Sequence, residues 1–281
     1  AGKGGYNQNI QLGFAGNPDL DLSTLLAGLN GIGNGVKAAM AVLQNPAATA
    51  AQKAAAQTSL GQLSSAYLAY PTKVTLRPKG DAGEIEPEDG GQYGIKLEYF
   101  SPELNDTEFA VYHMNYHSRT PLISGIASNF TTPAVQRDLA YLAQNAGNIT
   151  KDNVYNLEAL SKGLIQYPED IKLYGFSFNT TLEGTSIAGE LAHRQDEPLQ
   201  IDDVEILYAG MPEQLANAGL RGELEGISQI GRYNGNKVGP GEFAQGYILS
   251  DTTQAQLTVT HLFGPMWIAD NFTMLGRPFP T

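Results

Sequence analysis

The run "GGQYGIKLEYFSPELNDTEFAVYHMNYHSR", residues 90–119, constrains the fold more than any other stretch of this chain. Tyr93, Ile95, Leu97 and Tyr99 are apolar or aromatic, and the intervening Gln92, Gly94, Lys96 and Glu98 are polar or small. A period of two puts the two sets on opposite faces of a β-strand. Past a turn, Ala110, Tyr112, Met114 and Tyr116 share one face, while His113, Asn115 and His117 share the other. The pattern predicts two long antiparallel strands with both faces in use, one rich in tyrosine and one bearing charge and histidine.

Composition narrows the partners of such a sheet. Charged residues are 16% of the chain, well below the roughly 25% of a typical soluble domain. The net charge of −12 argues against nucleic-acid binding, because neutralising phosphates takes clustered Lys and Arg. With no cysteine, disulfides, thiolate metal sites and cysteine catalysis are excluded. The opening "AGKGGYNQNI" has no signal-peptide character and reads as a mature chain or a fragment. No apolar run reaches the roughly 18 residues of a transmembrane helix. A transmembrane β-barrel stays open, since each of its strands is a weak signal on its own.

Residues 20–69 read as a helical hairpin. Leu25, Leu26, Leu29, Ile32, Val36, Met40 and Leu43 recur at helical spacing, Asn45-Pro46 breaks the run, and an Ala-rich segment follows. "GIGNGV", residues 31–36, has the wrong spacing for a dinucleotide loop and is read as glycines that loosen the helix. "TTPAVQRDLAYLAQNAG" predicts a helix capped by Thr132 with Pro133 in its first turn. "TKDNVYNLEALSKGLIQY" predicts a second helix ending at Pro168, so that 133–166 is helical. Strands return in "DIKLYGFSFNTTL" and "TSIAGELAHRQ" around a Glu183-Gly184 turn. Three more are expected in "FAQGYILS", "QAQLTVTHLF" and "MWIADNFTML", the first two separated by a turn at Asp251-Thr252.

Strand, short turn, strand, long excursion is the rhythm of an outer-membrane barrel, and strands of about ten residues match a bilayer crossed at about 45°. The fold expectation is therefore mainly β: part of an antiparallel transmembrane β-barrel with helical loop or plug insertions. Residues 1–80 would be a helical insertion and linker, 81–276 barrel strands with long helical loops, and 277–281 an artificial end. Tyr93, Tyr99, Tyr112, Tyr116, Tyr174, Phe176 and Phe178 would face lipid or form interfacial girdles. Lys96, Glu98, His113, Asn115, His117, Glu190 and Arg194 would face a wet lumen. The alternative is a soluble secreted β-rich binding or adhesive protein, whose tyrosine face would be a core with a buried partner for each hydroxyl.

Catalytic and metal chemistry find little footing. His113 and His117 lie about 13 Å apart along a strand, too far to share one ion. No G-x-S-x-G elbow occurs, and Glu183, Glu190, Asp196 and Glu197 are explained by a turn and a lumen wall. No enzymatic activity and no cofactor are expected. Sequons at Asn105, Asn129, Asn148, Asn179 and Asn271 fit chance in an Asn- and Thr-rich chain.

Three phrases carry a resemblance: "GGQYGIKLEYFSPELNDTEFAVYHMNYHSRTPLISG", "YPEDIKLYGFSFNTTLEGTSIAGELAHRQDEPLQI" and "ILSDTTQAQLTVTHLFGP". In that order they resemble the bacterial outer-membrane family catalogued as domain of unknown function 1302, over Gly90 to about Leu275. The helical region 20–69 looks like a lineage-specific insertion, and "GRPFPT" departs from the family's pattern. Members are longer, so this chain is expected to be an internal piece of a barrel. The resemblance implies a porin-like, transport-related protein of the Gram-negative outer membrane. It also implies the lipid bilayer as partner, a periplasmic lipoprotein and an efflux-type transporter nearby, and hydrophobic or lipid-like small molecules as cargo. The length of the excursions, with Leu139, Leu142, Leu157, Leu160, Leu164, Ile206, Leu207 and Leu215, leaves two arrangements open: an apolar constriction or plug folded into the lumen, or loops that cap the barrel at the cell surface.

Overall fold

The computed structural model describes residues 12–13, 22–78, 83–235, 237–262, 273–274 and 277–278. In chain order they form β1 (Leu12–Gly13), α1 (Leu22–Gln44), α2 (Ala50–Leu68), β2 (Val74–Leu76), β3 (Glu84–Ile85), β4 (Tyr93–Ser101) and β5 (Thr107–Tyr116). There follow β6 (Leu122–Ile126), α3 (Thr132–Gln144), β7 (Ser161–Gln166), β8 (Ile171–Leu182) and β9 (Thr185–Gln200). The last are α4 (Asp203–Gly210), α5 (Pro212–Asn217), α6 (Ile230–Asn234), β10 (Phe243–Ala244), β11 (Tyr247–His261), β12 (Thr273–Met274) and β13 (Arg277–Pro278).

Two compact units result, and neither is one stretch of sequence. Unit 1 gathers residues 1–87, 119–167 and 199–248; unit 2 gathers 88–118, 168–198 and 249–281. The N-terminal region clusters with two later excursions of the chain in unit 1. The protein combines helices with largely antiparallel sheets, and the described residues close no barrel.

Unit 1 is built around α1. Leu25, Leu29, Ile32 and Val36 recur along one stripe, and all are buried together with Tyr67, Leu142, Leu157 and Leu160. The helix glycines do more than loosen it. A Cβ on Gly33 would strike the Leu142 carbonyl, and one on Gly35 would press on Leu63, so these glycines let α3 and α2 approach closely. The hairpin break falls at Asn45-Pro46 as expected, and α2 opens on a capping box in which Thr49 and Gln52 satisfy each other's backbone amides. Beside the helices a sheet runs in the order β1-β2-β7-β6-β10, with β7 parallel to β2 and to β3.

Two elements differ from their sequence expectation. Residues 150–166 are not a helix: a single 3-10 turn at Val154–Asn156 leads into β7. The amides of Glu158 and Ala159 donate to the buried Asp138 carboxylate at 2.8 and 2.9 Å, and Asn153 Oδ1 takes the Thr150 amide. With those donors engaged elsewhere a helical ladder cannot form. The predicted turn at Asp251-Thr252 is likewise absent, because β11 runs straight through it. Asp251 accepts the Asp196 amide and Thr252 bonds Glu197, so cross-strand partners hold both polar residues in extended chain. "MWIADNFTML" lies mostly outside the described residues.

Unit 2 is a five-stranded sheet in the order β4-β5-β8-β9-β11, a meander taken in sequence order. Its strands are long: 9, 10, 12, 16 and 15 residues. Hairpin turns join β4 to β5 and β8 to β9 at one end. The latter is a two-residue turn with positive φ at both Glu183 and Gly184, the backbone that matches strand twist. From the other end the chain departs after Ser118 and after Pro198 for residues of unit 1.

Candidate functional site

Register decides what the two faces of this sheet carry. β4 pairs with β5 so that Ile95 opposes His113, Leu97 opposes Val111 and Tyr99 opposes Phe109. β8 continues the rows with Tyr174, Phe176 and Phe178, and β9 with His193, Leu191 and Gly189. Directly opposed residues share a face. Side-chain bonds of His193 to Thr253 (2.9 Å) and of Thr185 to His261 (2.8 Å) align β11 antiparallel to β9. That alignment adds Leu257 and Val259 to the same face.

This aromatic and aliphatic face is exposed. Leu97 is 63% accessible, Tyr99 67% and Leu257 67%, and Val111, Phe176, Leu191 and Val259 are exposed as well. All buried members of both hydrophobic core clusters belong to unit 1. Unit 2 is therefore a sheet that displays large apolar side chains, with no core cluster of its own among the described residues. Val111, Leu257 and Val259 add to the aromatic set expected from the sequence, and the alternation of Leu257 and Val259 with Gln256 and Thr258 is the signal that marks the last two.

The opposite face is mainly polar, although Phe100, Met114 and Leu173 also stand on it. Lys96, Glu98, Glu190 and Arg194 all project there, with Glu108, Ser177 and Asn179. A shallow cavity of about 350 Å³ lies on it, floored by Ala110 and Ala188 and edged by Lys96, Glu108, Ser177, Glu190, Gln256 and Thr258. Lys96 pairs with Glu98, and Glu190 accepts the Tyr112 hydroxyl. Of the other hairpin carboxylates, Asp196 pairs with Lys172 at 3.7 Å and Glu197 with Arg194 at 3.9 Å.

Five residues change sides relative to the sequence reading. Tyr112 and Tyr116, grouped with the lipid-facing aromatics, stand on the polar face, because Tyr112 pairs with Lys96 and Gly175 and Tyr116 with Ile171. His113, Asn115 and His117, grouped with the lumen, have the parity of the aromatic face. His113 stacks on Tyr174 with ring centroids 4.5 Å apart, meets Tyr93 edge-on at 5.7 Å, and bonds the Leu173 carbonyl through Nδ1 at 3.1 Å.

Asn115 and His117 are buried. His117 Nε2 donates to the Gly90 carbonyl at 2.7 Å while its Nδ1 accepts the Asp170 amide at 3.2 Å, which fixes one neutral tautomer. Asn115 donates to the Gly91 carbonyl and to Asp170 Oδ1, each at 2.9 Å. Together they clip the roots of β4, β5 and β8 and offer nothing to a lumen.

Seven of the eight apolar residues expected to form a constriction pack within unit 1. Leu142, Leu157, Leu160 and Leu215 are buried in the unit 1 core with Leu139 packed against it, and Ile206 sits in a second cluster with Ala209 and Ile230. Leu164 is buried too.

The chief polar cluster of unit 1 is also structural. Asp138 takes the Tyr67 hydroxyl at 2.6 Å as well as the two amides already described. Burial raises its pKa, against the pull of those hydrogen bonds. Arg137 grips Glu158 through two bonds at 2.6 and 2.7 Å and lowers that carboxyl's pKa. Burial lowers the pKa of the nearby Lys162 ammonium, opposed by Asp138 and Glu158. Among the described residues no group of three or more His, Cys, Asp or Glu is placed to hold a metal ion.

The model of a family described as "Protein of unknown function (DUF1302)" matches residues 20–277. The match takes in α1 and α2, so the helical hairpin is not an insertion peculiar to this lineage. No curated protein and no solved structure matches the chain.

Proposed function

We propose a role for a chain that belongs to the DUF1302 family of proteins of unknown function: its five-stranded sheet is a stretch of outer-membrane β-barrel wall, and the protein is porin-like. One observation carries this reading. A meander of long strands sorts its side chains into an exposed apolar face and a mainly polar face, with no buried core cluster among the described residues of the unit. In water, a contiguous apolar face of this size is an aggregation liability; in a bilayer it is the ordinary outer surface of a barrel strand. Short hairpins at one end and long excursions at the other are the matching connectivity.

Solutes would meet the polar face. Lys96, Glu98, Glu108, Tyr112, Glu190 and Arg194 keep their charges and dipoles wet there, which suits a water-filled passage. The hydrophobic or lipid-like cargo expected of the family rests on the resemblance alone, since the leucines that were to line an apolar constriction are packed inside unit 1.

The secreted, soluble alternative requires Tyr112 and Tyr116 in a sealed core. Tyr112 instead bonds Glu190 on the polar face. The test is fractionation of the full-length protein from a Gram-negative host. Recovery from the outer membrane only with detergent, with heat-modifiable migration on a gel, is the expected result. A folded monomer, freely soluble at high concentration, overturns the reading.

A further inference from the structure

The apolar face of unit 2 is not uniform along the strands, and its gradient locates one surface of the membrane. The row Leu97, Val111, Phe176, Leu191 is wholly apolar. The next row toward the end where the chain departs for unit 1 holds Ile95, His113, Tyr174 and His193. The row after that is Tyr93, Asn115, Lys172 and Gln195. Tyr93, His113 and Tyr174 form one aromatic cluster, edge-on and then stacked, and His193 continues the belt with its Nδ1 on Thr253 Oγ1. Beyond it stands the Lys172–Asp196 ion pair.

The spacing fits a membrane boundary. From Leu97 to Tyr93 the chain climbs about 13 Å at roughly 3.3 Å per residue. At a strand tilt of about 45° that is about 9 Å of depth. The headgroup layer on each side of the hydrocarbon is roughly 5–8 Å thick. Surface chemistry thus passes from hydrocarbon-like to charged over about the thickness of that layer. Tyr and His rings, apolar in body and polar at the tip, are the residues suited to the transition.

Resting on the membrane reading above, we propose that Tyr93, His113, Tyr174 and His193 form an interfacial belt in the headgroup layer of the bilayer. The belt marks the surface from which the chain departs into residues 119–167 and 199–248. Its partners are the phosphate and ester oxygens of the lipids. With Nδ1 of His113 on the Leu173 carbonyl, Nε2 is the ring atom left for that layer. Hydrocarbon then begins at the row of Leu97.

The experiment uses the full-length protein, free of other cysteines, in phosphatidylcholine vesicles. Nitroxides are placed at Leu97→Cys, Leu191→Cys, His193→Cys and Lys172→Cys, and depth is read from collision with oxygen against a water-soluble nickel chelate. The expected result is graded: Leu97 and Leu191 deep, His193 shallower by roughly 5 Å, Lys172 open to the chelate. A His193 label as deep as Leu191, or as chelate-accessible as Lys172, overturns the belt while leaving the lipid-facing wall intact. Absence of lipid contact at Leu97 and Leu191, or failure to insert at all, overturns the wall itself and the belt with it.

Discussion

Phe178 lies across the bare backbone of Gly189, its direct partner on the neighbouring strand, so closely that a Cβ at that glycine would overlap the ring. Tyr112 covers Gly175 in the same way on the opposite face. Each pair lets a large ring lie flat along the sheet. The Tyr112 pair also leaves its hydroxyl on Glu190. Replacing Gly189 with Val should cost about 1–3 kcal/mol through the displaced ring. Gly163→Val, within strand β7 with open space at its Cβ position and no positive φ, is the control for lost glycine flexibility. Urea unfolding in detergent reads both; equal stability of Gly189→Val and the wild type would show that the ring has no fixed seat.

The two faces should answer differently to the same charge. Arg at Leu97, on the apolar face about 5 Å below the belt, should cost membrane stability, though less than the roughly 2–4 kcal/mol of a midplane position. Arg at Gln256, on the polar face, should be close to neutral. The ratio of heat-modifiable to unfolded protein on a gel measures the difference. Equal tolerance at both positions contradicts the assignment of the faces.

Tyr67 and Asp138 hold the helices of unit 1 to the segment before β7. Tyr67→Phe removes one charge-assisted hydrogen bond and should cost about 1.5–3 kcal/mol. Asp138→Ala strips three donors of their acceptor and should cost more. Resistance of α1–α3 to protease across a urea series gives both values, and a Tyr67→Phe variant as resistant as the wild type would refute the role.

Lys162 sets a pH dependence with a defined sign. Burial puts its pKa in the folded state below the ordinary lysine value. Its contribution to stability is therefore fully present above the unfolded pKa of about 10.4 and is lost as pH falls through the folded pKa. Unit 1 should gain stability as pH rises between those two values, and Lys162→Met should abolish that rise. An unchanged alkaline slope in the variant would show that another group is responsible.

Much of the local structure is legible in the residues themselves. The alternation from Tyr93 to Tyr99, the positive-φ pair Glu183-Gly184 and the helix break at Asn45-Pro46 each name their element, because each depends on neighbours within a few positions. Where distant groups compete, local reading fails. Residues 150–166 have leucines at helical spacing, yet Asp138 takes the amides that a helix would use. Asp251-Thr252 looks like a turn, yet Asp196 and Glu197 keep it extended.

By itself the sequence determined that long two-faced strands exist and which residues alternate within each one. It could not say which face of one strand meets which face of the next, since that depends on register. Because side chains alternate with a period of two, a slip of one residue carries an entire strand's set to the other side. The β4–β5 pairing matches odd positions with odd, and that parity alone sends Tyr112 to the polar face and His113 to the aromatic one. Cross-strand hydrogen bonding and ring-over-glycine packing, visible only once the strands are side by side, settled it.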